Sequence, residues 1–186
     1  MSYIRSFVPW IAFAIVNGID VRHGALTGLV LAAVLIALSL RQGAGWDELV
    51  IELSGLVFFG VLALVTLAVP NALLEEYATA LSLGWLAVTA WGSLAVRRPF
   101  TLGLARRVTP REVWENPLFL RVNRVITAVW ASAFTLTAVT LVVLALTAPD
   151  NQIASVAVQI AGFAVPALFT ARYPRTVARR PTPSLP

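Results

Sequence analysis

The sequence predicts an all-α polytopic membrane protein: six transmembrane helices, the first short enough to re-enter rather than cross, with a short interfacial helix between the fourth and fifth. Three observations carry that prediction. Hydrophobic residues fill 59% of the 186 positions, charged residues only 12%, and mean hydropathy is +0.82. That charge share is about half the usual one, and so much apolar surface exceeds what a soluble domain of this size can hide. The apolar residues gather into six runs, most of them near the roughly 20 residues that a crossing helix needs. Finally, the arginines fall almost entirely on one side of those runs.

The runs cover 6–19, 24–40, 49–69, 73–96, 118–147 and 152–172. The first is interrupted by Pro9, Trp10 and Asn17 and is too broken to read as a cleaved signal. Short turns join the others: Gln42-Gly43-Ala44-Gly45, Pro70-Asn71 and Pro149-Asp150-Asn151. The fourth run ends where Pro99 follows Arg98. Thr109-Pro110-Arg111-Glu112 has the form of a capping box with proline at the first helical position, so a short helix is expected there, carrying Val113 and Trp114 at headgroup level. Asn116-Pro117 restarts the chain into the fifth run. One helical domain, 1–175, is expected, followed by a flexible tail, 176–186, that ends in RRPTPSLP.

With the N-terminus in the cytoplasm, six crossings place thirteen of the fourteen arginines inside and only Arg22 outside. Seven of them lie between Arg97 and Arg124, in the largest cytoplasmic loop. Arg97, Arg98, Arg106, Arg107 and Arg111 form a basic surface suited to anionic lipid, although a purely topological anchor explains them too. The net charge of +5 is a topology signal by this count, and nucleic acid is not an expected partner. Expected partners are the bilayer, its anionic lipids and other membrane proteins; oligomeric state is left open.

Composition removes several chemistries. Cysteine is absent, which excludes disulfides, thiolate zinc sites and thiol nucleophiles. Lysine is absent as well, which excludes imine chemistry. With His23 the single histidine, a haem held by two histidines of one chain is impossible. No cofactor and no metal is expected.

Four features resemble the intracellular septation protein A family of small polytopic bacterial inner-membrane proteins, with this chain as a distant member. They are the opening segment Val8-Pro9-Trp10-Ile11-Ala12-Phe13; the span end Trp91-Gly92-Ser93-Leu94-Ala95-Val96-Arg97-Arg98-Pro99-Phe100; the element Pro110-Arg111-Glu112-Val113-Trp114; and Asn123-Arg124 leading into Val129-Trp130-Ala131-Ser132-Ala133-Phe134. The sequence departs from the family pattern in the insertion Asn116-Pro117-Leu118-Phe119-Leu120. The resemblance implies a multi-pass protein of the bacterial inner membrane acting in envelope maintenance, cell elongation and septation through contacts with other membrane proteins; the arginine count over six crossings puts both termini in the cytoplasm. It brings no catalytic residues with it.

Ionisable groups inside a membrane are the natural site candidates. Glu52 stands one turn inside the third run, at the depth of Arg121 and Arg124, and an ion pair between Glu52 and Arg124 is expected. Asp20, His23, Glu75 and Glu76 gather at the opposite end, where carboxylates near helix starts need no further role but could also bind a divalent cation or poise a general acid. Polar stripes run along the fourth span (Glu75, Thr79, Ser82, Thr89, Ser93) and the sixth (Gln152, Ser155, Gln159, Gly162, Pro166), as helix contact faces do. Gly24 and Gly28 form a GxxxG that favours close packing or dimerisation.

Two functions compete. The first is a scaffold that binds lipid or partner proteins. The second is a terpene-cyclase-like enzyme on an isoprenoid or other apolar substrate. Its acid would be Glu52, Asp20, Glu75 or Glu76, and Trp85, Trp91, Trp130 and Gln159 would wall the pocket and stabilise a carbocation. The six-residue separation of Trp85 and Trp91 turns their rings about 120° apart on one helix, which favours the scaffold. A small transporter ranks third because no charge falls at mid-membrane.

Overall fold

The computed structural model describes residues 2–69 and 72–178, apart from the side chains at 2–4, 47, 72, 73, 75 and 178. Among the described residues there are seven α-helices, two short 3-10 turns and no strand: α1 (Ser2–Val16), α2 (Val21–Arg41), α3 (Val50–Ala68), α4 (Ala72–Ala95), α5 (Phe100–Arg106), α6 (Pro117–Thr147) and α7 (Gln152–Ala178). The fold is all-helical, as the composition demanded. Five helices, α2, α3, α4, α6 and α7, are long and apolar enough to cross a membrane. α1 is the short one. Its 15 residues span about 22 Å at 1.5 Å per residue, less than a hydrocarbon core of about 30 Å. The Pro70-Asn71 turn and the tail from 179 onward lie outside the described residues, and α7 continues three residues beyond the expected domain boundary at 175.

The short first helix is nevertheless central. Phe7, Trp10 and Phe13, all 3% exposed or less, project from α1 to two sides. Phe7 stacks on Trp130 of α6 with centroids 4.9 Å apart and touches Phe134, Phe163 of α7 and Phe100 of α5. Trp10 and Phe13 meet Phe58 and Phe59 of α3. α1 therefore joins two halves, α2–α3 and α6–α7, through aromatic contact. Around it, α2 packs on α1 and α3, α4 packs most extensively on α6, and α7 leans chiefly on α6.

Gly24 and Gly28 serve this packing. A Cβ on Gly24 would meet the Asn17 backbone at 3.1 Å, and one on Gly28 would meet the Phe59 ring at 2.8 Å. Both faces are thus filled by this chain, which replaces the dimerisation reading of the GxxxG. The stripe on α4 is a contact face as expected: Thr79 accepts a bond from Asn17 Nδ2, Thr89 shares one with Ser54 of α3, and Ser93 Oγ accepts from the Phe100 backbone.

The connection from α4 to α6 corrects the sequence reading. The expected helix at Thr109–Glu115 is a single 3-10 turn, Arg111–Val113, and Thr109 Oγ1 bonds back to the Ala105 carbonyl instead of capping it. The helix lies earlier. In α5 the six residues Phe100–Ala105 are all buried, and Thr101 Oγ1 bonds the Asn123 carbonyl and the Thr127 hydroxyl of α6. An apolar run of this length is too short for period analysis to separate a helix from a loop, and only its burial against α6 reveals it.

Candidate functional site

One end of the bundle holds most of the arginines. There the starts of α1, α3 and α6 meet the ends of α2 and α4, with α5 laid between. Two distinct arrangements stand side by side at this end.

The first is a buried ion cluster. Glu52, 1% exposed, sits in the first turn of α3, where a helix N-terminus favours a carboxylate. Its Oε1 accepts from Ser6 Oγ of α1 at 2.8 Å and from Arg107 Nη1 at 3.2 Å. Arg107, the residue that ends α5, also donates from Nη2 to the Glu48 carbonyl and holds Nε 3.4 Å from the Glu48 carboxylate. One guanidinium thus bridges two carboxylates one helical turn apart and clamps α5 to the entry of α3, while Glu52 Oε2 is buried without a hydrogen-bond partner among the described residues.

The expected partner was Arg124, and the structure assigns the role to Arg107. On α6, Asn123 and Thr127 face inward, and Arg124, a step of about 100° further round, points to the exposed side. α5 occupies the gap through which Arg124 would have had to reach. Ser6 and Glu48 were not singled out from the sequence. The available signal was the spacing of Glu48 and Glu52, which puts two acids on one face at the mouth of an apolar run and calls for a shared cation.

The second arrangement is an open recess of about 640 Å³ whose wall includes Trp46, Arg97, Arg98, Arg106, Leu120 and Arg124. A smaller recess of about 380 Å³ adjoins it, lined by Leu94, Arg97 and Arg124. Arg97, Arg98 and Arg124 make no hydrogen bond or ion pair through their side chains among the described residues, in contrast to Arg107. Arg106 and Arg111 lie over the Trp114 ring, at 5.1 Å and 5.6 Å from its centroid. Trp114 Nε1 bonds the Thr109 carbonyl, which anchors this ring against the loop.

Arg97 has an unusual backbone. After α4 the Arg97 N–H bonds the Leu94 carbonyl and the Arg98 N–H bonds the Ser93 carbonyl, the paired bonds of a Schellman turn. The turn puts Arg97 at φ 58, the left-handed region that glycine ordinarily occupies there. A non-glycine residue in that conformation costs about 1–2 kcal/mol. The dipole at the end of α4 accounts for positive charge nearby but not for an arginine at this one strained position.

The remaining sequence candidates disperse. Asp20 caps α2: its Oδ1 accepts from the His23 N–H at 2.9 Å and lies 3.1 Å from His23 Nδ1. The His23 N–H bond, foremost, holds the Asp20 carboxyl below its usual range. His23 and Glu76 are exposed, the Glu75 side chain lies outside the described residues, and among the described residues no three His, Asp or Glu side chains converge. The tryptophan pocket is not formed. Trp130 is core, its Nε1 on Thr170 of α7; Trp85 bonds Ser54 of α3; Trp91 bonds Thr135 of α6. Gln159 bonds its own helix at Ser155. Trp85 alone joins a groove of about 790 Å³ between α3, α4 and α6, whose lining is aliphatic and aromatic with no acid. The 120° divergence read from the sequence is the reason: each ring serves a different helix contact.

No family model, no curated protein and no solved structure matches the chain.

Proposed function

We propose that the protein is a non-enzymatic integral membrane scaffold whose arginine-rich end faces the cytoplasm and holds anionic lipid, in an envelope-maintenance role of the kind the septation-family resemblance implies. The recess walled by Arg97, Arg98, Arg106 and Arg124 carries this reading. Arg97, Arg98 and Arg124 have no side-chain partner among the described residues, and juxtamembrane arginines attract anionic headgroups by about 1 kcal/mol each. Trp46, two-thirds exposed at the rim, suits the headgroup level, where amphipathic rings collect.

Acid catalysis has less support. Glu52, the most buried of the candidate acids whose side chains are described, is directed through Oε1 at Ser6 and Arg107, and the rings that should wall a pocket are apart. Transport has less support as well, since Glu52 belongs to the first turn of α3 and not to its middle.

Two results test the proposal. Cysteine-free background allows single-site labelling with an impermeant thiol reagent in intact cells. Glu112→Cys stays protected and Asp150→Cys reacts; the reverse pattern would place the arginines outside and remove the basis for cytoplasmic lipid binding. In the purified protein, native mass spectrometry shows anionic over zwitterionic lipid retained, and Arg98→Gln or Arg124→Gln each lowers that preference by about fivefold. Arg22→Gln, at the other end, leaves it unchanged. Equal losses from all three variants would indicate unspecific charge attraction.

A further inference from the structure

We infer that the arginine-rich recess is a site for a lipid headgroup carrying two phosphates, with Arg97 and Arg124 bridging them. The inference rests on the lipid-binding reading and specifies its ligand.

The geometry that points there is the pair of adjoining recesses. The larger, about 640 Å³, and the smaller, about 380 Å³, share two walls, Arg97 and Arg124. Each is ample for one phosphate group. A guanidinium presents five N–H donors in a planar fork, enough to serve an anion on either side of it. Two such forks standing between two recesses match two anions held a short distance apart. Arg98 and Arg106 add charge in the larger recess only, and Leu94, Leu102 and Leu120 give the walls an apolar part for the carbons between and beyond the phosphates. A single phosphate would leave one recess unused and two shared forks half satisfied.

The strain at Arg97 is an independent observation. Glycine would complete the Schellman turn at lower free energy, yet the chain places there one of the two side chains that line both recesses. A position whose backbone favours glycine and whose side chain is shared by two anion recesses is explained by binding, not by folding. Generic attraction of a polybasic surface makes a different prediction, because it depends on charge density alone and is indifferent to how phosphates are joined.

The experiment uses the full chain in nanodiscs at about 0.15 M salt, where exposed charges more than about 8 Å apart are screened. Binding is read by native mass spectrometry and by thermal shift for cardiolipin, which has two phosphates, and for phosphatidylglycerol, which has one, at matched total charge. Cardiolipin binds about tenfold more tightly per headgroup, the worth of one further charged hydrogen-bonded contact. Arg97→Gly raises the melting temperature of the lipid-free protein and at the same time abolishes the cardiolipin preference. Arg124→Gln, on an exposed face, abolishes it without a change in melting temperature. Inorganic pyrophosphate added at equal concentration leaves lipid binding intact. Equal binding of the two lipids at matched charge would overturn the two-phosphate assignment while the anionic-lipid reading stands. Absence of either lipid's binding over phosphatidylcholine would overturn both. Displacement by pyrophosphate would reassign the site to a soluble ligand. A lower melting temperature for Arg97→Gly would refute the claim that Arg97 is kept for its side chain.

Discussion

Arg107→Gln lowers the stability of the folded protein by about 3 kcal/mol, the low end of the range for breaking a buried pair, because Arg107 itself is 14% exposed. The substitution strands Glu52 in a site that is 1% exposed, with only the Ser6 hydroxyl left to solvate it, and frees the end of α5 from the entry of α3. Glu52→Gln is milder, about 1–2 kcal/mol, since the amide oxygen still accepts from Ser6 and Arg107 keeps both contacts to Glu48. The double variant costs less than the sum of the two by at least about 1 kcal/mol, because neither charge is then left alone. Reversible unfolding in mixed micelles supplies all three values. Additive losses would refute the pair. The same measurement on Arg124→Gln, exposed and without a partner among the described residues, stays within about 0.5 kcal/mol of the parent.

Gly28→Val destabilises the bundle by about 3 kcal/mol, and Gly28→Ala by less, since valine adds both volume and a lower helix propensity. A Cβ at Gly28 falls 2.8–2.9 Å from three atoms of the Phe59 ring. That ring is fully buried and touches Trp10, Phe13 and Phe58, so it has no free direction in which to move. The gain in helix propensity on replacing glycine, at most about 1 kcal/mol, does not offset the displacement of four packed aromatic rings. Gly92→Ala provides the contrast: nothing lies within 4 Å of its added Cβ, so propensity acts unopposed and stability holds or rises. Thermal unfolding of the three variants side by side decides the matter. A neutral Gly28→Val would mean that α2 and α3 do not approach as closely as the structure requires.

The helices were legible wherever they were long. The boundaries of α2, α3, α4 and α6 lie within a few residues of the apolar runs, because a span of about 20 apolar residues has few alternatives in lipid. Asn116-Pro117 was read as a restart and is one: Asn116 Oδ1 accepts from the Leu118 N–H and Pro117 takes the first turn of α6. α5 was not legible. Its seven residues carry no cap bond and no charge before Arg106, so nothing local distinguishes Phe100–Arg106 from a loop. Thr109 misled for the opposite reason: a good capping sequence lost to a hydroxyl bond back to Ala105.

The candidate site divides along the same line. Sequence alone identified Glu52 as the buried acid and the Arg97–Arg124 segment as the basic surface, since a charge in an apolar run and a cluster of like charges between two runs are properties of order along the chain. Which arginine meets Glu52 is not such a property. It depends on the rotation of α6, where one residue's step of about 100° separates inward Asn123 from outward Arg124, and on α5 filling the gap with Arg107 at its end. Likewise the three tryptophans were plain in the sequence, but their separation into three different helix contacts was settled by packing. α1 shows the largest distance between the two levels. Broken by proline and the weakest of the apolar runs, it nevertheless supplies Ser6 to Glu52, Phe7 to Trp130 and Trp10 to Phe58. A helix's hydropathy reports how well it tolerates lipid; its place at the centre comes from the side chains that the other helices fold around, and those contacts exist only once the bundle has formed.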